Sequence, residues 1–272
     1  NKLNVVKQLD FGSYLDGGEL GEILLPRKYE PKDLEVGDDV YVFVYFDSED
    51  RPIATTQKAK LEVGQFAYLN VVTVNAHGAY LDWGLDKDLF VPLKEQHRPM
   101  ELDKSYLVHA KIDRVNGKIV GTSKINAHIS DEAPAHLKKG DAVDLIIANS
   151  TDLGFKVIVN HQCWGVLYKN EVFQRLSFGQ YKKGYVKSVR PDKRLDVSLQ
   201  GGSQTRDKYR KIIENYLHKN DGFAPVHDKS DPKLISSLFG MSKGAFKKAI
   251  GGMYKDNVIT IEKTGIKLNE SK

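Results

Sequence analysis

HGAYLD (His77 to Asp82) followed by DLFVP (Asp88 to Pro92) is the stretch whose reading decides the fold. In DLFVP the alternation sets Phe90 opposite Leu89 and Val91, so the two aliphatic residues supply a core and the ring faces away from it. The same text recurs as FGSYLD (Phe11 to Asp16) with EILLP (Glu22 to Pro26), and as LGFKVIV (Leu153 to Val159) with WGVLYKNE (Trp164 to Glu171). Each copy continues into a longer strand (GDDVYVFVYFD, SYLVHAKID, KKGYVKSVRPD) and ends in a short one (RPIATT, KIVGTS, RLDVSL). About five short strands rich in Val, Ile, Tyr and Phe, separated by Gly, Asp and Asn, call for a small barrel, and a repeat calls for three. Gly12, Gly78 and Gly154 stand in register where the second strand begins after a tight turn, which points to positive φ or a close backbone approach. Asp47 with Arg51, Asp113 with Lys118 and Asp192 with Arg194 read as turns between the last two strands.

The period changes after the third copy. RDKYRKIIENYLHK sets Tyr209, Ile212, Ile213, Tyr216 and Leu217 at helical spacing with a basic outer face. DPKLISSLFG has Asp231 as N-cap, Pro232 in the first turn and Gly240 at its end; MSKGAFKKAIGGMYKD has Ser242 as N-cap and buries Phe246, Ala249, Ile250 and Met253. NVITIEKTGIKLN alternates around a Lys-Thr-Gly turn and reads as a hairpin. Three helices and a hairpin make a winged helix. The expected fold is therefore mainly β and multidomain, with barrels over residues 1–60, 61–135 and 136–203 and an α+β winged helix-turn-helix over 204–272.

The 272 residues carry a net charge of +5, distributed as a gradient of −4 over residues 1–60, −2 over 61–135, +5 over 136–205 and +6 over 206–272. A polyanion responds to the local field it meets, so the second half is expected to carry most phosphate contacts. No run reaches the length of a membrane span, and NKLNVVKQLD lacks the apolar core of a signal peptide. Asn1 in place of an initiator Met points to the trimming of a few residues. The single cysteine, Cys163, excludes an intrachain disulfide framework or a thiolate-rich zinc site. A reducing, cytoplasmic setting, no membrane partner and a monomer are expected.

GSYLD…GEILLP and GAYLD…KDLFVP resemble the RNA-binding module first seen in ribosomal protein S-one, an oligonucleotide-binding (OB) barrel, and the second copy matches best. That resemblance implies a stacking platform of Phe11 and Tyr14 in the first copy, His77, Tyr80 and Phe90 in the second, and Tyr168 in the third. Leu24, Leu153 and Lys156 stand where the family pattern departs, leaving the first and third platforms incomplete. Stacking one base on such a ring is worth roughly 1–3 kcal/mol. Three barrels and a winged helix in this order also resemble the conserved virulence factor B family, which implies RNA binding and post-transcriptional control. The expected phosphate contacts are Lys182, Lys183, Lys187, Arg190, Lys193 and Arg194 on the third barrel. To these are added Lys243, Lys247 and Lys248 on the third helix and Lys263 and Lys267 on the wing, with Arg114 and Arg51 as accessories. On that helix and wing, lysines without an accompanying Arg, Asn or Gln for bidentate reading favour backbone contact over base reading.

Two signals imitate catalysis. GMSKG (Gly240 to Gly244) matches a nucleophile elbow, but a helix-like LISSLF precedes it and no histidine follows His227, so it reads as a helix-turn-helix corner. HQC sets His161 and Cys163 on one strand face without further ligands nearby. No nucleotide-cradling Gly-rich loop and no H-E-x-x-H pair occurs. No enzyme activity, metal or cofactor is expected. Two other readings stay open: a DNA-binding regulator led by the winged helix, and an interaction scaffold associated with ribosomes or a ribonuclease.

Overall fold

The structure, a computed structural model, describes residues 1–47, 49–172, 174–199 and 202–269. They divide into two compact units, Asn1–Ile129 and a second that begins at Ser130.

In the first unit, β1 (Lys2–Leu9), β2 (Gly12–Asp16), β3 (Glu22–Pro26), β4 (Asp39–Tyr41), β5 (Phe43–Phe46) and β6 (Pro52–Thr55) form a sheet of order β4-β1-β2-β3-β6-β5. GDDVYVFVYFD, expected as one strand, is broken at Val42. Its first half pairs with β1 and its second with β6, so one segment serves two neighbours by turning a corner, as small barrels require. Val42 is buried at that corner among Val5, Leu15, Ile23, Leu25, Val40 and Ala54.

The middle barrel consists of β7 (Phe66–Asn75), β8 (Gly78–Asp82), β9 (Leu89–Pro92), β10 (Ser105–Ile112) and β11 (Ile119–Thr122), in the order β11-β10-β7-β8-β9. Its core extends into the first barrel. Tyr45 joins it, and Phe43 meets Trp83 edge to face with centroids 5.5 Å apart. Lys28 pairs with Asp86 at 2.5 Å, Lys118 with Asp50 at 2.6 Å, and Lys87 Nζ donates to the Asp47 carbonyl at 2.6 Å. The first two copies thus share apolar packing across the expected division at residue 60.

The second unit opens with Ser130–Ala133 bonded to the third barrel, although the sequence reading assigned these residues to the middle one. Trp164 N donates to the Ser130 carbonyl at 2.9 Å and Ala133 N to the Lys193 carbonyl at 2.8 Å. The barrel closes as β12 (Ala142–Thr151), β13 (Gly154–Val159), β14 (Cys163–Tyr168), β16 (Leu195–Ser198) and β15 (Tyr181–Val189). There follow α1 (Gly202–Lys219), β17 (Phe223–Ala224), α2 (Pro232–Phe239), α3 (Lys243–Lys255), β18 (Ile259–Ile261) and β19 (Ile266–Leu268). This is the winged helix. Asp231 Oδ1 accepts from Lys233 N at 2.6 Å, Gly240 ends α2 in the left-handed conformation, and Ser242 Oγ accepts from Ala245 N at 3.0 Å. Phe246, Ala249, Ile250 and Met253 are buried as their spacing required.

Three-dimensional registers bear out the repeat. A bulge follows Val5 in β1, Val71 in β7 and Ile147 in β12. A methyl group on Gly12, Gly78 or Gly154 would strike the carbonyl oxygen of Leu25, Val91 or Leu167, so close backbone approach is what requires glycine there. The contact is locked by Arg27 N to Phe11 O at 3.0 Å, Leu93 N to His77 O at 3.1 Å and Lys169 N to Leu153 O at 3.0 Å.

Candidate nucleic-acid interface

In the middle barrel the pleat sends Ala79 and Leu81, Leu89 and Val91 inward and leaves Tyr80 and Phe90 half-buried on the outer face. Tyr80 and Phe90 are directly opposed across β8 and β9, with ring centroids 5.0 Å apart and planes tilted by 36°. Asn75 Nδ2 lies 3.5 Å from the Tyr80 hydroxyl, and the Asn75 carboxamide oxygen accepts from the backbone of His77 at 2.8 Å, fixing the exposed His77 turn at the end of the same strand pair. Two rings therefore share one face, with the exposed His77 turn at its end, and an aromatic face open to solvent can receive a base by stacking.

The first barrel repeats this in part. Tyr14 is half-buried opposite Leu24, and Phe11, 56% exposed, meets it edge to face at 6.2 Å. Lys7 Nζ stands 5.5 Å from the Tyr14 centroid, a cation the sequence reading missed because it lies on the neighbouring strand.

The third barrel departs further. Tyr168 pairs with Gly154 and so occupies the register of Pro26 and Pro92; Val166 takes the place of Phe90. Tyr168 is instead bound into a polar network. Arg190 Nη2 donates to its hydroxyl at 2.7 Å and Lys187 Nζ stands 5.3 Å from its ring centre. Asp196, buried, receives Arg190 Nε at 2.9 Å and Nη2 at 2.5 Å, and Ser188 Oγ at 3.0 Å. Burial pushes the Asp196 carboxyl up, but the hydrogen bonds from Arg190 and Ser188 and the guanidinium charge outweigh it and hold the carboxyl below the usual range.

Several expected phosphate contacts already face carboxylates. Lys183 pairs with Asp144 at 2.6 Å, Lys187 with Glu171, Lys193 with Glu132 at 3.0 Å, Arg194 with Asp192 at 3.7 Å and Lys247 with Asp228 at 3.8 Å. Arg51 is held by Asp47 at 2.8 Å and Glu49 at 3.0 Å. Exposed pairs are worth about 0–1 kcal/mol, so a phosphate can replace the carboxylate, though with a smaller net gain than at an unpaired lysine. Among the described residues no carboxylate lies at ion-pair distance from Arg114, Lys182, Lys248, Lys263 or Lys267. Lys243 donates to the Lys229 carbonyl at 3.1 Å. In the winged helix, Lys247 and Lys248 are exposed on α3 away from its buried side, while Lys263 and Lys267 are exposed on the β18–β19 hairpin. Lys94 and Lys169, exposed at the recurring backbone locks Leu93 N to His77 O and Lys169 N to Leu153 O, were not singled out by the sequence reading. Their signal was positional: each falls just past the third strand of its repeat.

The catalytic imitations dissolve. Ser242 is a helix cap, and Cys163 points into the barrel core, where burial pushes its thiol up to about 11, away from the reactive thiolate. His161 sits in the turn between β13 and β14 with φ 58°, so it does not share a strand face with Cys163. Among the described residues no group of three or more His, Cys, Asp or Glu side chains is placed to hold a metal ion. No helix is long and apolar enough to cross a membrane among them.

Comparison with known proteins agrees with this architecture. A family model described as CvfB-like winged helix domain matches residues 211–268, and one described as S1 domain matches residues 1–57. The chain is 29% identical over 272 residues to the uncharacterized protein YitL of Bacillus subtilis, covering 94% of this chain and 88% of that protein. It is 27% identical over 286 residues to conserved virulence factor B of Staphylococcus epidermidis, covering 96% and 91%. A crystal structure of a multidomain protein with nucleic acid binding domains from Streptococcus pneumoniae is 24% identical and covers 99% of this chain and 97% of that one, with a TM-score of 0.41. The S1 match falls on the first barrel, whereas the sequence reading found its best likeness in the second.

Proposed function

This chain is a homologue of the conserved virulence factor B proteins, and from that premise we propose that it binds RNA, catalyses no reaction and acts in post-transcriptional control of gene expression. Nucleic-acid binding as such follows from its domain types, since OB barrels and winged helices are both nucleic-acid-binding folds. The single observation that carries the preference for a single strand over a duplex is the Tyr80–Phe90 pair beside His77, and the family likeness narrows that strand to RNA. Bases locked inside a duplex cannot reach such a platform; unstacked bases of a single strand can. The third barrel and the winged helix supply charge, as the gradient along the chain supports. Of the four modules in the proposed division, the third is assigned a start at Ser130. The protein works as a cytoplasmic monomer.

Competition between single-stranded RNA and duplex DNA of matched charge tests this reading. Preferential displacement by the single strand is expected; preferential displacement by the duplex overturns it. The duplex outcome would favour the second reading, a DNA-binding regulator, for which Lys248, Lys263 and Lys267 on helix and wing, without an ion-pair partner among the described residues, are the specific support. Absence of salt-dependent binding to either nucleic acid would favour the scaffold.

A further inference from the structure

The third barrel lacks the ring pair of the middle one but carries a cavity of about 430 Å³, lined in part by Asp131, Thr151, Phe155, Lys156, Trp164 and Arg194. That volume lies in the range of small-ligand sites. Its construction is particular to this copy. Lys156 stands where Tyr14 and Tyr80 stand in the other two, and Trp164 stands two residues before Val166 as Glu22 does before Leu24 and Asp88 before Phe90. The Lys156 ammonium sits 4.0 Å from the centre of the Trp164 ring, a close cation–π contact.

We propose that this cavity receives one guanine base of a bound RNA strand, with the Asp131 carboxylate reading its Watson–Crick edge. The proposal rests on the RNA-binding reading above and assigns a base preference to its third barrel.

Asp131 carries the argument. It lines a cavity whose other charged lining residues, Lys156 and Arg194, are cations, yet neither reaches ion-pair distance of its carboxylate, and no described residue donates a hydrogen bond to that carboxylate. On a surface meant for phosphates, a free carboxylate is repulsive unless it meets a donor. An ionised carboxylate only accepts, through two oxygens side by side. Guanine is the base whose Watson–Crick edge presents two adjacent donors, N1–H and the 2-amino group, and so can satisfy both oxygens. Adenine and cytosine offer one amino donor next to an acceptor, and uracil one imino donor between two acceptors. Arg194 and Lys156 are placed at the same cavity to take the flanking phosphate, and Phe155 with the Lys156–Trp164 stack supplies apolar wall.

The backbone on either side of Asp131 is also positioned in advance. Ser130 bridges to Cys163 and accepts from Trp164 N at 2.9 Å, its hydroxyl accepts from Glu132 N at 2.9 Å, and Ala133 N donates to the Lys193 carbonyl at 2.8 Å. The backbone that carries Asp131 is thus held between β14 and the turn that carries Arg194, so little backbone ordering entropy remains to be lost on binding.

The test is the affinity of the full chain for a short U-rich RNA containing a single guanine and for the same RNA with adenine in its place. The wild-type protein is expected to prefer the guanine RNA by about tenfold, the scale of a bidentate base contact. Asp131→Ala, at an exposed loop position, is expected to abolish the preference without weakening binding of the adenine RNA. Equal wild-type affinity for both RNAs, or a preference that survives in Asp131→Ala, overturns the assignment and leaves RNA binding standing. Failure of the wild-type protein to bind either RNA overturns the RNA-binding reading, and this assignment with it.

Discussion

Tyr80 and Phe90 face each other across adjacent antiparallel strands of the middle barrel, their ring centres 5.0 Å apart, on the side of the sheet away from its core. Nothing in the barrel's packing requires two rings there, because Leu81, Leu89 and Val91 already close the interior. Their placement gives the stacking surface its physical form, and it separates stacking from charge as contributions to binding.

Tyr80→Ala should therefore weaken binding of single-stranded RNA by about 1–3 kcal/mol while leaving the dependence of log affinity on log salt unchanged, since no phosphate contact is lost. Lys248→Ala should lower that slope by about one released counterion with a smaller effect at high salt. Binding titrations at several salt concentrations separate the two; an equal loss of slope in both variants contradicts the division of labour.

Gly78→Ala tests the repeat geometry. The added methyl would meet the Val91 carbonyl, which cannot withdraw without breaking the β8–β9 register, and the edge of the Phe90 ring, which would have to turn aside. A destabilisation of at least about 2 kcal/mol is expected from urea unfolding, on the scale of overpacking a close contact. A midpoint unchanged from wild type would mean that the backbones are not held at this separation in solution.

His128 stacks on His109 with centroids 4.5 Å apart, and burial, aided by the Lys111 charge, lowers its pKa. The unfolded chain therefore binds this proton more readily than the folded one. The contribution to stability is complete above the unfolded value of about 6.5 and is lost as pH falls from there through the lower folded value. Urea midpoints for the wild type should drop between pH 7.5 and pH 5.5, and His128→Gln should flatten that drop. A pH dependence identical in the variant would assign the effect to other groups, of which His161, also lowered by burial, is the first to examine.

Much of the molecule could be read from the chain alone wherever the deciding forces are local. Strand alternation separated Phe90 from Leu89 and Val91, and cap chemistry at Asp231, Gly240 and Ser242 marked the helix ends, because these depend on residues within a few positions of one another. Register-matched glycines revealed the repeat for the same reason. What tertiary structure alone decided involves segments far apart in sequence. It broke the first barrel's long strand at Val42, merged two barrels through Phe43 and Trp83, moved Tyr168 out of the platform register, and paired Lys187 with Glu171 and Lys193 with Glu132. It also carried Asp131 to the mouth of a cavity beside Trp164. Periodicity fixes which face of its own strand a side chain takes, but whether a charge finds a partner, or a ring a neighbour, depends on where distant strands come to lie after the barrel closes.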